Sequence, residues 1–253
     1  MLRSFISLCS IGCCFLSGLA QEQAQDTIRQ ELYGLRVGVD LSRPILSFLD
    51  EDYTGFELVG DFRISQKLYL AAELGNEQKT QIEELDGIDL YNYTTSGSYL
   101  KIGVDNNTYT NWYGEQNLIT IGGRLAFSTF SQTLNTFRFY ESNRTFNTDG
   151  FFQAGNVPEE FGNRTAAWLE IVLGTRARLF NNVYGGISIR LGYLITETAE
   201  GDFPNLWIPG FNKVTDGSNF GIGYNYSISY LIPFFKKTKK SKVAPAERPA
   251  TDQ

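Results

Sequence analysis

The sequence predicts an all-β fold, an eight-stranded antiparallel up-and-down transmembrane β-barrel. Three observations carry that reading. First, residues 217–232 place Phe220, Ile222, Tyr224, Tyr226, Ile228, Tyr230 and Ile232 at every second position, with Gly221, Gly223, Asn225, Ser227 and Ser229 between them. A strand turns alternate side chains to opposite faces, so one face is apolar and aromatic and the other is small and polar. Second, the same alternation recurs about seven more times along the chain. Third, the chain opens on an export signal, and its connections alternate between tight and long, the rhythm of short periplasmic turns and longer outer loops.

Residues 1–20 read as a cleaved signal peptide: Arg3, an apolar run from Phe5 to Leu16, then Ser17-Gly18-Leu19-Ala20. Cleavage is expected between Ala20 and Gln21; lipoprotein processing at Cys13 is the less favoured route. All three cysteines (Cys9, Cys13, Cys14) lie in this segment, so the mature chain has no Cys, no His and no Met. Residues 21–32 are read as a periplasmic N-terminal segment, 33–235 as the barrel and 236–253 as a disordered basic tail. No other segment approaches the roughly 20 apolar residues that a spanning helix needs.

The strands are expected at 33–42, 54–64, 67–76, 97–105, 117–130, 165–179, 183–196 and 217–232. Representative outward sets are Leu35, Val37 and Val39 on the first, Leu70, Ala72 and Leu74 on the third, and Ile187, Ile189 and Leu191 on the seventh. Ser65-Gln66 and Asn181-Asn182 are tight turns and 106–116 is a moderate one. The stretches 43–53, 77–96, 131–164 and 197–216 are longer and polar, and are read as loops. An even strand number returns both termini to one side. Aromatic residues near strand ends, such as Tyr184, Phe234, Phe127 and Phe220, fit interfacial girdles.

Parity then assigns the inner face. It is rich in small residues (Gly34, Gly38, Gly103, Gly122, Gly192), which suit an eight-stranded interior that side chains just fill. It also receives Arg36, Arg63, Lys101, Arg124, Arg176, Arg178 and Arg190 against Asp40, Glu57, Asp61, Glu73, Asp105 and Glu170, seven basic and six acidic residues. Charges persist in so narrow a space only when paired and hydrogen-bonded. An ion-pair network plugging the lumen is the expected outcome; a narrow pore for ions or small solutes is the alternative. A soluble lipocalin-like barrel, with the two faces exchanged and an apolar ligand inside, is the rival fold.

Several functions are disfavoured. The formal charge is −6; without Arg3 the mature chain carries −7, and the tail from Lys236 carries six basic and two acidic residues, leaving −11 on residues 21–235. An acidic body argues against nucleic acid. Without His or Cys the usual general base and thiol nucleophile are missing, so no catalytic residue and no cofactor is assigned and the protein is read as non-enzymatic. Asp50-Glu51-Asp52 and Asp86-Gly87-Ile88-Asp89 have ligands for hard cations but no defined loop motif, and are read as surface acid rather than a metal site.

The longest loops are aromatic. Phe139, Tyr140, Phe151 and Phe152 in 131–164, and Trp207 and Phe211 in 197–216, could be contact residues for a partner. Packing of the two loops on each other as a cap is an equal alternative, and 131–164 could also extend two strands above the membrane. The expected partners are outer-membrane lipid and lipopolysaccharide, the barrel-assembly machinery, which would read Phe234 or Phe235, and a periplasmic contact through the basic tail. The expected location is the outer membrane.

The mature chain also resembles a known group. Tyr33-Gly34-Leu35-Arg36-Val37-Gly38-Val39-Asp40-Leu41-Ser42-Arg43-Pro44, the stretch Glu57 to Arg63, and Gly97-Ser98-Tyr99-Leu100-Lys101-Ile102-Gly103-Val104-Asp105 resemble the small outer-membrane β-barrel proteins of Bacteroidota. The likeness is greatest to an uncharacterised barrel family, a domain of unknown function. It implies fold and location, and no activity to carry over.

Overall fold

The structure is a computed structural model, which describes residues 29–85, 87–109, 117–140, 151–153, 158–198, 203–214 and 218–239. The elements in chain order are β1 (Arg29–Asp40), α1 (Ser42–Leu49), β2 (Tyr53–Arg63), β3 (Leu68–Leu85), β4 (Ile88–Asn107), β5 (Leu118–Tyr140), β6 (Phe151–Gln153), β7 (Glu159–Phe180), β8 (Val183–Thr198), β9 (Trp207–Ile208), β10 (Asn212–Lys213) and β11 (Phe220–Lys239). Glu31–Lys237 make one compact unit. In the second unit, only Arg29, Gln30, Thr238 and Lys239 are described. The expected signal cleavage at Ala20 and Gln21 and the tail beyond Lys239 lie outside the described residues.

Eight strands close a ring. Their order is β4-β3-β2-β1-β11-β8-β7-β5, and pairing of β5 with β4 joins the ends. The β1–β2, β2–β3, β3–β4, β4–β5, β5–β7, β7–β8 and β8–β11 ladders are antiparallel, and β2–β3, β3–β4 and β7–β8 pair across short connections. A closed ring leaves no free edge of unpaired N–H and C=O groups. The predicted fold class is therefore the one formed.

Alternation decides which face is which. Leu70, Leu74, Leu100, Ile102, Ile121, Leu169, Ile171, Ile189, Leu191, Ile222 and Tyr224 point outward and are exposed, whereas Glu73, Lys101, Arg124, Glu170 and Arg190 point inward and are buried. The lipocalin-like alternative needs the apolar face inside, so it is excluded by this placement. Among the described residues no helix is long and apolar enough to cross a membrane, a test that does not bear on crossing by strands.

The strands outrun the sequence reading at one end. The described residues of 77–96 and 131–164, stretches expected as loops, are largely ladder: β3 pairs with β4 from Leu68/Asn106 to Leu85/Ile88, and β5 pairs with β7 up to Leu134/Glu159. The outward face changes character on the way, from Leu74 to Asn76 and Gln78 on β3, and from Leu125 and Phe127 to Thr129, Ser131 and Thr133 on β5. The ladder continues because backbone pairing does not depend on an apolar face. At the other end, Asn181-Asn182 joins β7 to β8, with Asn182 at φ 62 in the left-handed region. The boundaries also move slightly: β1 begins at Arg29 and β11 runs to Lys239.

Residues 43–53 form no simple loop. Ser42–Leu49 is helical, with Pro44 in the first turn, where its missing N–H has no intrahelical partner to lose. The Ser47 hydroxyl accepts from the Gly55 N–H at 2.8 Å, and Lys79 Nζ donates to Asp50 at 2.5 Å, tying α1 to β2 and β3. That ammonium holds the Asp50 carboxyl below the usual carboxylate range.

Asn182 is a point where turn chemistry supports the ladder. Asn182→Val is expected to lower stability by about 1–2 kcal/mol, the strain of a branched residue in that region, with Asn182→Gly near neutral. Urea unfolding of the refolded protein checks it, and equal midpoints for both variants would contradict the assignment.

Candidate functional site

The lumen holds a chain of ion pairs that alternates in sign from the tight-turn end toward the long-hairpin end. Arg36 donates to Asp61 through Nε at 2.9 Å and Nη2 at 2.7 Å. Arg176 reaches the second Asp61 oxygen at 2.6 Å and lies 3.7 Å from Asp105. Arg124 grips Asp105 with two nitrogens, at 2.7 and 3.0 Å, and Glu73 with its Nε at 3.1 Å. Arg190 joins Glu73 to Glu170, and Lys101 closes the run on Glu170 at 2.8 Å. Bidentate guanidinium contacts of this kind are directional as well as strong.

Parity supplies these residues, and distance selects the partners. Arg36 faces Asp61 directly in the β1–β2 register, but Arg124 faces Glu170 and bonds Asp105 and Glu73 instead. The Arg176–Asp61 and Arg190–Glu73 pairs cross the lumen between strands that are not neighbours in the ring. At the turn end Arg63 lies 4.4 Å over the Tyr33 ring and donates to the carbonyls of Ser65 and Leu32, so it acts as a lid. Arg178 departs from the expectation: it is exposed at the rim, beside a register shift between Arg178 and Phe180, outside the buried network.

A second cluster sits nearer the hairpin end. Arg43 lies 3.0 Å from Glu77 and 3.7 Å from both Glu57 and Asp40. The Tyr99 hydroxyl donates to Glu57 at 2.5 Å, and Asn225 Nδ2 donates to Asp40 at 2.7 Å and to Glu57 at 3.0 Å. Asp40 also accepts from the Ser42 N–H and hydroxyl and the Tyr226 N–H. Three carboxylates therefore share one guanidinium and a shell of neutral donors. Arg43 and Glu77 were missed because both fall in stretches read as loops. Among the described residues no group of three or more His, Cys, Asp or Glu is arranged to hold a metal ion.

Residues 203–214 form a strap that folds into the mouth. The Gly210 N–H donates to Glu77 at 3.1 Å, and its carbonyl accepts from Lys101 at 3.0 Å, so the backbone of one residue joins the two clusters. Phe211 packs edge-on to Trp168 at 5.6 Å, in a buried group with Tyr99, Phe130, Leu194 and Ile208. Higher up, Phe203 and Trp207 pack with Tyr93 and Leu134. Arg164, also missed, donates to the Phe203 carbonyl at 2.8 Å and to Asn205 at 2.5 Å. Phe211 and Trp207 thus serve the cap, correcting their reading as partner contacts. Phe139–Phe152 and Tyr140–Phe151 are paired positions of β5 and β6; their side chains are outside the described residues.

Fold and site together define a closed β-barrel with a charge-filled lumen and a strapped mouth. The chain belongs to the family described as a domain of unknown function, DUF6048, whose pattern matches residues 1–237. No curated protein matches it. Among solved structures, the crystal structure of CarO from Acinetobacter baumannii is similar, with a TM-score of 0.39, 11% identity, and coverage of 80% of this chain and 98% of that one.

Two substitutions test the site. Glu170→Leu strands Lys101 and weakens Arg190, and is expected to cost about 3–5 kcal/mol, with much of it recovered by adding Lys101→Met. Chemical unfolding of both variants decides, and a double variant no better than the single would show the pair is not coupled. Gly210 sits at φ 81, and a side chain there would meet the Tyr99 ring 2.6 Å away. Gly210→Val is expected to release the strap, seen as new protease cuts within 203–214 while the barrel's heat-dependent gel shift persists.

Proposed function

We propose that this protein is an outer-membrane β-barrel that acts as a closed, non-conducting and non-catalytic body, supporting the envelope or binding a partner at its long-hairpin end. The observation that carries the reading is the filled interior. What remains open beside Asp61, Glu73, Asp105, Arg124 and Arg190 is a cavity of about 40 Å³. That is room for roughly three waters at the ~10–15 Å³ of such volume each needs. The strap then covers the mouth with buried aromatic residues.

The membrane placement rests on the outward face. Leu70, Leu100, Ile121, Ile171, Ile189 and Ile222 form a continuous exposed apolar belt, more than a soluble monomer carries. The belt gives way to polar residues on the β3–β4 and β5–β7 hairpins. Long hairpins on one side and tight turns on the other orient the hairpins outward and the turns toward the periplasm. Lipid and lipopolysaccharide would meet the belt and the hairpins, and assembly machinery would read Phe234 or Phe235. The likeness to Bacteroidota barrels accords with this placement. The non-catalytic reading draws on the absence of His and Cys after residue 20.

Planar bilayers test the closed state. The wild-type chain is expected to give no unitary steps. Steady conductance altered by Arg124→Ala or Glu170→Ala would overturn the reading and establish a narrow pore.

A further inference from the structure

The wall of the barrel is incomplete at one place, and α1 stands there. β1 stops at Asp40, opposite Glu57. Its neighbours do not stop: β2 continues to Tyr53, paired with β3 as far as Lys79, and β11 continues from Tyr226 to Phe220, paired with β8. The chain leaves β1 through the Leu41 N–H bond to the Tyr226 carbonyl at 2.6 Å and enters the helix at once. One side of α1 faces the lumen, where Ser42 and Arg43 are buried on Asp40, Glu57 and Glu77. Ser47 and Asp50 fasten the far end to Gly55 and Lys79.

The opposite side is apolar and uncovered. Ile45, Phe48 and Leu49 fall at i, i+3 and i+4, one helix face, and are 49%, 91% and 73% exposed. At the same level the flanking strands still present belt residues, Phe56 on β2 and Ile222 and Tyr224 on β11, all exposed. Directly after Leu49 come Asp50, Glu51 and Asp52, where the chain turns polar. An amphipathic helix with this order lies in the plane of a membrane interface, its apolar face sunk about 5–10 Å into the headgroup–acyl boundary.

We propose that α1 is a lipid-facing segment of the barrel wall, with Ile45, Phe48 and Leu49 embedded in the outer leaflet at the acyl–headgroup boundary. The inference rests on the membrane placement proposed above and names what covers this face. The occupant is lipid because the exposed face is continuous with the belt on both sides. Arg43 couples the segment to the lumen, since the same helix that enters the leaflet carries the guanidinium shared by three buried carboxylates.

The test is depth-dependent quenching in the full chain. Phe48→Trp, Leu58→Trp on the belt and Glu51→Trp beyond the helix are each reconstituted in phosphatidylcholine vesicles with brominated acyl chains. The emission added over the wild-type Trp112, Trp168 and Trp207 is then read. Bromine is expected to reduce the added emission of Phe48→Trp several-fold, as for Leu58→Trp, and to spare that of Glu51→Trp, which aqueous iodide quenches. Quenching of Phe48→Trp by iodide alone would overturn the proposal, and protection from both quenchers would also overturn it, in favour of a second copy of the chain. If Leu58→Trp is itself unquenched, the membrane placement fails with it. The heat-dependent gel shift certifies folding, and Leu49→Trp replaces a variant that lacks it.

Discussion

Closing eight strands into a ring leaves an interior that side chains fill, and the rest of the structure answers to that confinement. There is too little room for water to solvate the inward charges fully, so each one must find its counter-charge inside the wall. The run from Arg36 to Lys101 is the result: five cations and four carboxylates in alternation, drawn from β1, β2, β3, β4, β5, β7 and β8. Buried pairs of this sort are weak contributors to stability against a well-packed apolar alternative, because desolvation offsets most of the attraction. Their value here lies in uniqueness. Shifting any strand by one residue would turn its charges outward and its apolar set inward, and every cross-lumen partner would be lost together.

The axis of the barrel divides into two chemistries. The turn-side half is ionic, ending at Arg63 against Tyr33. The hairpin-side half adds a buried aromatic group beside the Arg43 cluster, with Trp168, Phe130, Phe211 and Ile208 packed together. Gly192 and Gly221 lie about 2.9 Å from the Phe211 ring by the measure of an added Cβ, so the ring fits only because those positions lack side chains. Gly210 is the junction, since its N–H and carbonyl face the two charge clusters. A small inward stripe on two strands is therefore the complement of one inserted loop, as well as a response to narrowness.

This explains what the sequence disclosed and what it hid. The alternation of β11 and β8 marks the belt plainly, and parity alone placed Glu73, Lys101, Arg124, Glu170 and Arg190 in the lumen. It stopped at Gly75 and Phe130 because the outward positions beyond them, Asn76, Gln78, Thr129 and Ser131, are polar. Periodicity of hydrophobicity reports the solvent outside the wall, not the ladder within it, so Glu77 and Arg164 went unseen although they continue the inward face. Inward Tyr93 and Gln132 were the available signal. Helix α1 was hidden differently: Pro44 reads as a loop residue, and eight residues give too few turns for an apolar stripe to stand out. Arg178 keeps inner parity, opposite the buried Tyr184, but stands at the open end of the strand, where it is exposed and beyond reach of the network. The strap could not be read at all, since its partners are far apart in sequence and meet only when several strands pair.

That last point bears on the order of assembly. The seat of the strap combines Glu77 of β3, Lys101 of β4, Trp168 of β7, Gly192 of β8 and Gly221 of β11. With β5 between β4 and β7 these are six consecutive strands of the ring, so the seat stands once β3 to β11 are paired and does not wait for β1 and β2. Until then Ile208 and Phe211 have no apolar seat, and afterwards both are buried. A chain with those six strands paired and one without thus differ at the mouth by a pair of large hydrophobic side chains, hidden in one and bare in the other, so the mouth carries the chain's own record of that pairing.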